Sequence, residues 1–374
     1  MNVLILNYEY PPLGGGAANA TWYLLKELSR KDGLTIDLIT SSTSDFHREQ
    51  PYTNISIHYL DIGKQGNIHY QSNKELLSYA WKSYRYAHGL LRKGRSFDFV
   101  HAFFGIPSGY VAMKLGLPYI ISLRGSDVPF YNSRFALADK LLFKRLSGRV
   151  WKHAEKVVAN SEGLRRLANH SHPEIPIAVI PNGVDVDTFT PVDGIPAARS
   201  DVHIVSTGRL INRKGYDLLI KAVAGLPRIR ITLAGEGPAK ESLAILARDH
   251  GVRIDFPGVV EHERISALLQ SADIFVLPSR NEGMSNSVLE AMACGLPVIT
   301  TDVGGSRELI DGNGRVIPRD NYMELRRAIQ FYLDNPDHLG EHGRLSRSIA
   351  ESMGWEKVAE KYFHMYSDLR GKSE

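Results

Sequence analysis

The chain has 374 residues, of which 43% are hydrophobic and 23% charged, and its formal net charge is +4. This composition is typical of a soluble globular protein and excludes a fibrous or largely disordered chain. Cys294 is the only cysteine, which excludes an internal disulfide and a metal site built from several thiolates.

The N-terminal segment MNVLILNYEYPP lacks the cationic start and the long apolar run of a secretory signal. The most apolar stretch, residues 100–123, is interrupted by prolines, glycines and a lysine. These interruptions favour buried strands and a helix over a membrane span. Together with the single cysteine, they predict a cytoplasmic protein.

Short strand-like runs alternate with helical periodicity along the chain. In the first half, MNVLILNY, LTIDLITSS, FDFVHAFF and PYIISLR are strand candidates, and AANATWYLLKELSRK has helical periodicity. The alternation begins again after residues 181–201, with HIVSTGRL, IRITLAGEG, IFVLPS and PVITT as strands. This pattern predicts an α/β fold of two Rossmann-like domains, each with a doubly wound parallel sheet.

The predicted domains cover residues 1–190 and 191–354. The C-terminal segment 355–374 begins with a helix that has apolar residues near one face, so it needs a surface to cover. Ligands of such sheets bind outside the carboxyl ends of the strands. Two facing sheets therefore predict a ligand site in an interdomain cleft.

Three consecutive glycines, Gly14, Gly15 and Gly16, separate the first predicted strand from the first helix. Glycine lets the backbone approach a bulky anion closely, and the following helix points free N–H groups at it. The spacing is neither the dinucleotide fingerprint nor a P-loop, which argues against a nicotinamide enzyme and a P-loop ATPase. A purely structural loop is the alternative.

The segment 134–156 is strongly basic, with seven Lys and Arg against two acids. It is predicted to be an amphipathic helix, and two interpretations of it are open. Either its charges form a solvated helix face, or they dock onto an anionic membrane surface or an acidic acceptor.

Arg209 and Lys214 follow a predicted strand and precede a helix in STGRLINRKGYDLL. Fixed cations can neutralise the charge that grows on a diphosphate leaving group as its bond to a sugar carbon breaks. Two exposed surface cations are the alternative interpretation.

Two glutamates, Glu282 and Glu290, flank a turn and the start of a predicted helix in NEGMSNSVLEAMACGLPVIT. The S-x-x-E spacing from Ser287 fits a capping box, so Glu290 alone has a structural explanation. Glu282 has none. Carboxylates accept hydrogen bonds from sugar hydroxyls, and the backbone N–H groups of the turn suit phosphates.

The stretch EGMSNSVLEAMACGLPVI resembles the E-x7-E signature of the retaining family 4 glycosyltransferases, which have the GT-B fold. Further segments similar to the family occur in its order: YPPLGGGAANA, IPNGVDVDTF, GRLINRKGYDLLIKA, LAGEGPAKESLAILARDHGV and FPGVVEHERISALLQSADIFVLPS. The likeness covers nearly all of the second half and several blocks of the first.

The resemblance implies a role for each of these residues. Glu290 would hold the ribose hydroxyls of a nucleotide-sugar donor, Arg209 and Lys214 its diphosphate, and Glu282 the transferred sugar. The backbone that meets the sugar and the distal phosphate would be that of Gly283, Met284, Ser285, Asn286 and Ser287.

The resemblance also implies contacts at the edges of the site. The segment 256–260, which includes Val259, would flank the base. The loop of Gly14, Gly15 and Gly16 would close over the leaving group and help to position the acceptor. The last helix would cross back to the first domain.

One position departs from the family pattern. Many members carry a histidine in an H-G-x-D turn of the first domain, whereas this chain has Arg124 in that place and keeps Asp127. An arginine cannot act as a base near neutral pH, but it can bind a phosphate or a hydroxyl. We expect Arg124 to contact the donor or an anionic group of the acceptor, or only to brace the loop.

The resemblance implies transfer of a hexosyl unit, with retention, from a nucleotide diphosphate sugar to an acceptor hydroxyl. A UDP-sugar is favoured over a GDP-sugar. The acceptor is expected to be a glycan or a lipid-linked molecule, in polysaccharide or glycolipid biosynthesis, and the enzyme is expected in the cytoplasm or at the inner face of the cytoplasmic membrane. No His, Cys, Asp and Glu cluster with metal-ligand spacing is recognised, and DVD (185–187) is interpreted as a turn.

No metal, separate cofactor or nucleic-acid partner is therefore expected. Two alternatives are a nonhydrolysing nucleotide-sugar epimerase, which shares the architecture, and a noncatalytic nucleotide-sugar binding protein.

Overall fold

The computed structural model describes residues 1–66, 68, 70–131, 142–192 and 201–371. The chain divides into two domains, one formed by Met1–Asn182 with Trp355–Glu374 and the other by Gly183–Gly354. Each domain buries its own hydrophobic core.

The described part of the first domain contains eight strands in one sheet. The strands are β1 (Asn2–Leu6), β2 (Thr35–Ser42), β3 (His47–Tyr52), β4 (Ile55–Asp61), β5 (Phe99–Phe103), β6 (Tyr119–Leu123), β7 (Lys156–Ala159) and β8 (Ile177–Val179). Their order is β3-β4-β2-β1-β5-β6-β7-β8, and only β3 runs antiparallel to its neighbour. The central strands β1, β5 and β6 are almost wholly buried because helices cover both faces of a parallel sheet.

Helices of the first domain follow its strands in the expected alternation. They are α1 (Gly16–Leu28), α2 (Asn73–Arg92), α3 (Tyr110–Leu115), α4 (Lys144–Lys152) and α5 (Glu162–Ser171). The predicted basic helix at 134–156 is represented by α4, and its first residues, 134–141, lie outside the described residues.

The described part of the second domain forms a parallel sheet of six strands. They are β9 (Val202–Thr207), β10 (Ile229–Ala234), β11 (Ile254–Gly258), β12 (Ile274–Leu277), β13 (Val298–Thr301) and β14 (Gly314–Ile317), in the order β11-β10-β9-β12-β13-β14. The helices are α6 (Tyr216–Val223), α7 (Lys240–Asp249), α8 (His262–Gln270), α9 (Asn286–Ala293), α10 (Ser306–Leu309), α11 (Tyr322–Asp334) and α12 (Asp337–Ser352).

The last helix, α13 (Trp355–Arg370), packs on the first domain. The ring of Trp355 stacks on Tyr23 of α1 with 5.7 Å between the ring centroids. Further along the helix, the Tyr366 hydroxyl lies 2.6 Å from Nδ1 of the buried His101 on β5. Apolar and hydrogen-bonded contacts therefore both hold this helix.

The domain boundary lies after Asn182, eight residues before the position expected from the sequence. Val184 pairs with Gly354, and Phe189 is buried in the core of the second domain. Arg347 on α12 donates hydrogen bonds to the carbonyls of Val186 and Phe189 at 3.1 and 2.7 Å. These contacts fix residues 183–190 to the second domain, although the segment has no helix or strand periodicity of its own.

None of the helices in the described part of the chain combines the length and apolarity needed to cross a bilayer.

Candidate functional site

The loops that carry Arg209, Lys214 and Glu282 lie where the strand order of the second domain reverses. From β9 the chain proceeds to β10 and β11 on one side, and then returns to β12 on the other side of β9. The loops that follow β9 and β12 therefore leave the sheet side by side. Ligands of open α/β sheets bind at this kind of position.

The loop after β9 is held against the loop after β12 by a glycine. Residues Asn212–Lys214 form a 3-10 turn that ends at Gly215, which has a φ of +69°. A Cβ at Gly215 would lie 2.0 Å from the carbonyl oxygen of Pro278. Only glycine permits this backbone approach, which brings Lys214 beside the second loop.

Lys214 and Glu282 form an ion pair between these loops. Nζ of Lys214 lies 2.7 Å from Oε1 of Glu282, and the two side chains are only 12% and 13% exposed. The Ser279 hydroxyl donates to the same oxygen at 2.8 Å. Burial alone would raise the pKa of Glu282, but Lys214 and Arg213 outweigh it and lower that pKa. The Glu282 carboxylate is therefore ionised at neutral pH.

Arg280 braces both loops and was not singled out from the sequence. Its guanidinium makes a two-point ion pair with Asp217, at 2.9 and 2.8 Å, and a bond of 2.6 Å to Asp320. It also donates to the backbone and side-chain oxygens of Asn212. Its backbone N–H donates to the carbonyl of Arg213 at 2.7 Å. Arg280 thus fixes the turn that carries Lys214.

The predicted backbone contacts precede and begin α9. Gly283 accepts a hydrogen bond of 2.7 Å from the N–H of Gly305, and a Cβ at Gly304 would lie 2.1 Å from the Gly283 carbonyl oxygen. The next residues follow in order, with Met284 buried, Ser285 at the N-cap and Asn286 the first helical residue. The loop after β13 therefore packs against this turn and stabilises it. The sequence did not indicate this contact.

Glu290 is not a capping residue. The N-cap of α9 is Ser285, whose side chain makes no capping hydrogen bond and lies 2.9 Å from the Ser287 hydroxyl. Glu290 lies beyond the third helical position that a capping box requires. Within the described part of the chain, its carboxylate has no hydrogen-bond donor. Burial raises the pKa of Glu290 to about 7, with Lys214 opposing the shift.

Arg209 follows β9 and Val259 follows β11, and β10 lies between these two strands in the sheet. Both side chains are exposed, and Phe256 within β11 is half-buried. The contact of either residue with a ligand stays a prediction.

In the first domain, Asp127 joins three backbone groups. Its carboxylate accepts hydrogen bonds from the N–H groups of Gly105, Arg124 and Gly125 at 2.7 to 3.0 Å, and the side chain is buried. Burial raises the pKa of Asp127, and these bonds oppose the rise. The residue fixes the loop after β6, and its direct contact with a substrate stays a prediction.

Arg124 lies over the ring of Phe103, with its guanidinium carbon 4.6 Å from the ring centroid. Nη1 donates to the side-chain oxygen of Asn182 at 2.8 Å. Nε is buried and has no acceptor among the described residues. The side chain is thus oriented, and the buried Nε–H is a donor that no described protein atom accepts.

The glycine loop follows β1 in the first domain. Gly14 has a φ of +100° and donates its N–H to the carbonyl of Ile68 at 2.9 Å. Gly15 is the N-cap of α1 and Gly16 its first residue, and no side chain caps the helix there. A Cβ at Gly15 would meet no atom within 4 Å. Space beside the backbone at Gly15 is consistent with close approach of a ligand.

Solved structures share this two-domain fold. A sucrose-phosphate synthase from Thermosynechococcus elongatus has a TM-score of 0.86 at 21% identity, with all of both chains covered. The Anabaena protein HepE in complex with UDP-glucose has a TM-score of 0.72 at 19% identity, over 98% of this chain and 100% of that one. The architecture is that of the GT-B glycosyltransferases.

Family models match both domains. The model described as Glycosyltransferase Family 4 matches residues 14–188, and the model described as Glycosyl transferases group 1 matches residues 195–348. An uncharacterized glycosyltransferase of Methanocaldococcus jannaschii is 24% identical over 99% of both chains. This chain belongs to the family 4 glycosyltransferases and is a transferase, which confirms the family and fold predicted from the sequence.

Proposed function

We propose that this enzyme transfers a hexosyl unit from a nucleotide diphosphate sugar to an acceptor hydroxyl, with retention and without a metal ion. The observation that carries the proposal is the largely buried Lys214–Glu282 ion pair on the two loops at the strand reversal. The unpartnered carboxylate of Glu290 on the following helix supports it. The family membership supplies the reaction class.

In this proposal the donor binds to the second domain, and its ribose, diphosphate, sugar and base each contact different residues. Glu290 accepts hydrogen bonds from the ribose hydroxyls, and Arg209 and Lys214 contact the diphosphate. Glu282 accepts hydrogen bonds from hydroxyls of the transferred sugar, and the backbone of residues 283–287 contacts the sugar and the distal phosphate. Val259 packs against the base.

The chemical step needs no covalent enzyme intermediate. The bond from the sugar anomeric carbon to the diphosphate oxygen breaks, and a bond from the same carbon to the acceptor oxygen forms on the same face. The departing phosphate oxygen takes the acceptor proton. Lys214 and Arg209 stabilise the negative charge that develops on the diphosphate. No separate cofactor is proposed, because the sugar arrives already activated.

Groups of the first domain are assigned to the acceptor and to the leaving group. The loop of Gly14, Gly15 and Gly16 contacts the diphosphate or the acceptor. Arg124 contacts the donor or an anionic group of the acceptor through Nε, which has no protein acceptor among the described residues. Asp127 holds the loop that presents Arg124.

The donor is tested by a thermal-shift panel of UDP- and GDP-sugars, because a ligand that binds only the folded state raises the melting temperature. A UDP-sugar is favoured, since the Anabaena neighbour was solved with UDP-glucose. Stabilisation by no nucleotide sugar would contradict the proposal. Conversion of the donor without any acceptor would instead indicate an epimerase.

Affinity for the intact donor is expected to rise between pH 6 and pH 8. Ribose hydroxyls donate to the ionised carboxylate, so binding lowers the pKa of Glu290 from about 7 and releases its proton. Below that pKa, affinity should fall by up to about tenfold for each pH unit. Calorimetry with a UDP-sugar measures this slope, because its diphosphate diester does not titrate in the range.

Glu290→Gln is the matched variant for this pH dependence. It keeps the size of the side chain and removes its titration, so it should bind the donor more weakly and without the slope. The same slope in the variant would show that another group titrates.

We further propose that the acceptor is presented at an anionic membrane and that α2 contacts this surface. Its outer face carries Leu77, Trp81 and Tyr84 at spacings of four and three residues, and Leu77 and Trp81 are 71% and 57% exposed. Arg85 lies over the Trp81 ring, 4.7 Å from its centroid. The only acid of α2, Glu75, is buried. Exposed apolar and aromatic side chains with cations suit an anionic interface.

Vesicle sedimentation tests this surface. The protein should sediment with vesicles of phosphatidylcholine and phosphatidylglycerol and remain in solution with phosphatidylcholine alone. Leu77→Ala/Trp81→Ala should lose binding, whereas Tyr322→Ala/Met323→Ala, which removes two exposed apolar side chains of the second domain, should keep it. Equal binding by both double variants would contradict the proposal. If the unchanged protein forms a dimer and Leu77→Ala/Trp81→Ala abolishes it, this face of α2 serves self-association and not membrane binding.

A further inference from the structure

Three side chains with metal-binding atoms lie together near the start of α12. His338, Glu341 and His342 each offer a ligand atom, and these atoms lie within 4.8 Å of one another. Residues three and four apart are neighbours on a helix, so the H-x-x-E-H spacing places all three on one face. This spacing was not recognised in the sequence, where no metal-ligand cluster was expected. We propose that these residues bind one Zn²⁺ ion.

The donor set fits zinc better than a hard cation. Two imidazoles and one carboxylate are ligands that zinc accepts, and three protein ligands leave a fourth position for water. Magnesium and calcium prefer sites built from oxygen atoms. In one class of zinc peptidases the two histidines of an H-x-x-E-H motif on a helix bind zinc, so the spacing of His338 and His342 is compatible with zinc ligation.

His342 is oriented by a residue of the neighbouring helix. The hydroxyl of Tyr332 on α11 lies 2.8 Å from Nδ1 of His342, and Tyr332 is fully buried. This contact leaves Nε2 as the nitrogen for a metal ion. Metal-bound histidines commonly hold their second nitrogen by such a hydrogen bond, which fixes the ring orientation. The hydroxyl can accept from Nδ1–H when Nε2 binds the metal.

Phe331 restricts both imidazoles. Its ring is stacked on His338 with 5.1 Å between centroids, and it lies nearly parallel to His342 at 6.3 Å. The guanidinium of Arg315 lies over Phe331, 4.2 Å from the centroid, and adds a positive charge to the surroundings. The carboxylate of Glu341 opposes this charge, and it must be part of the site for a cation to bind.

Small side-chain movements complete the site. Ligand atoms around a tetrahedral zinc ion lie about 3.4 Å apart, given bonds of about 2.0 to 2.1 Å. His338 and Glu341 already contact each other, with Nδ1 of His338 2.9 Å from Oε2 of Glu341. Both side chains are partly exposed, so they can turn inward without displacing packed groups. Zinc replaces this hydrogen bond.

Calorimetric titration of the EDTA-treated full chain with Zn²⁺ tests the site. We expect one ion per chain, and we expect both His338→Ala and His342→Ala to abolish this binding. Tyr332→Phe should weaken it by about ten- to a hundredfold, because it removes only the group that orients His342. His250→Ala, which removes an exposed histidine of the same domain outside the cluster, should bind as the unchanged protein does.

Melting curves accompany the titration. Zn²⁺ should raise the melting temperature of the unchanged protein and of His250→Ala, and it should leave His342→Ala unaffected. Glu341→Gln keeps the side-chain size and should also lose binding. Unaltered stoichiometry in both histidine variants, or no Zn²⁺ binding by the folded unchanged protein, would overturn the site. Because the cluster shares no residue with the donor site, EDTA should leave sugar transfer unchanged.

Discussion

Replacement of Lys214 by alanine is expected to lower kcat for sugar transfer by about a hundred- to a thousandfold. Removal of one preorganised charge contact to a developing anion typically raises the barrier by about 2.7 to 4 kcal/mol. In the proposed mechanism Lys214 contacts the leaving group, and its bond to Glu282 and the turn that ends at Gly215 fix its position. Steady-state kinetics at saturating donor measure the loss.

Lys240→Ala is the matched control for this variant. Lys240, the first residue of α7, pairs with Glu236 in the preceding loop at the same 2.7 Å, but both side chains are more than 40% exposed. Exposed pairs of this kind contribute little, so turnover should be unchanged. Lys214→Ala with the turnover of the unchanged enzyme would refute the assignment of Lys214 to the leaving group.

The sequence was sufficient for the parts of the site that one short segment contains. Glu282 lies in the loop before α9 and Glu290 lies in that helix, and the family signature includes both residues. Strand and helix alternation was equally readable, because a buried parallel strand such as β12 is a continuous apolar run. Local pattern therefore predicted the two sheets and the segments that follow their strands.

Long-range supports were not predictable in the same way. Arg280 and Asp217 are 63 residues apart, and no pattern in either segment indicates that they pair. Gly304 is needed because the backbone at Gly283 leaves no room for a Cβ, which depends on the packing of two loops. The metal-ligand spacing at 338–342 was present in the sequence, but its orientation by Tyr332 depends on how α11 and α12 pack.

The capping box predicted at Ser287 shows that a local motif can be interpreted only when the first residue of the helix is known. The S-x-x-E spacing is present, but α9 begins at Asn286, so Ser287 is already inside the helix. Its hydroxyl contacts Ser285 and does not cap the backbone. Because the helix begins before Ser287, the capping explanation of Glu290 fails, and the ligand-binding explanation is the one left to test.

Arg280→Ala is the second substitution with a large expected effect. It removes a two-point ion pair and the bonds to Asn212, and hydrogen bonds to charged groups contribute about 1.5 to 3 kcal/mol each to stability. Because Arg280 and its acidic partners are partly exposed, the contributions do not sum in full, and chemical denaturation should show a total loss of about the size of one such bond. Because the turn that carries Lys214 is then released, kcat should fall by up to about a hundredfold, while donor binding should change less. Arg327→Ala, which breaks an exposed ion pair on α11, should change neither quantity.

A double-mutant cycle separates positioning from a direct role. If Arg280 acts on catalysis only by holding Lys214, then Arg280→Ala should lower kcat in the unchanged protein and have little effect in Lys214→Ala. Residues that act independently would instead give multiplied losses of kcat. The stability loss should persist in both backgrounds, because the ion pair with Asp217 does not involve Lys214. Multiplied kinetic losses would show that Arg280 contributes to turnover by a route other than Lys214.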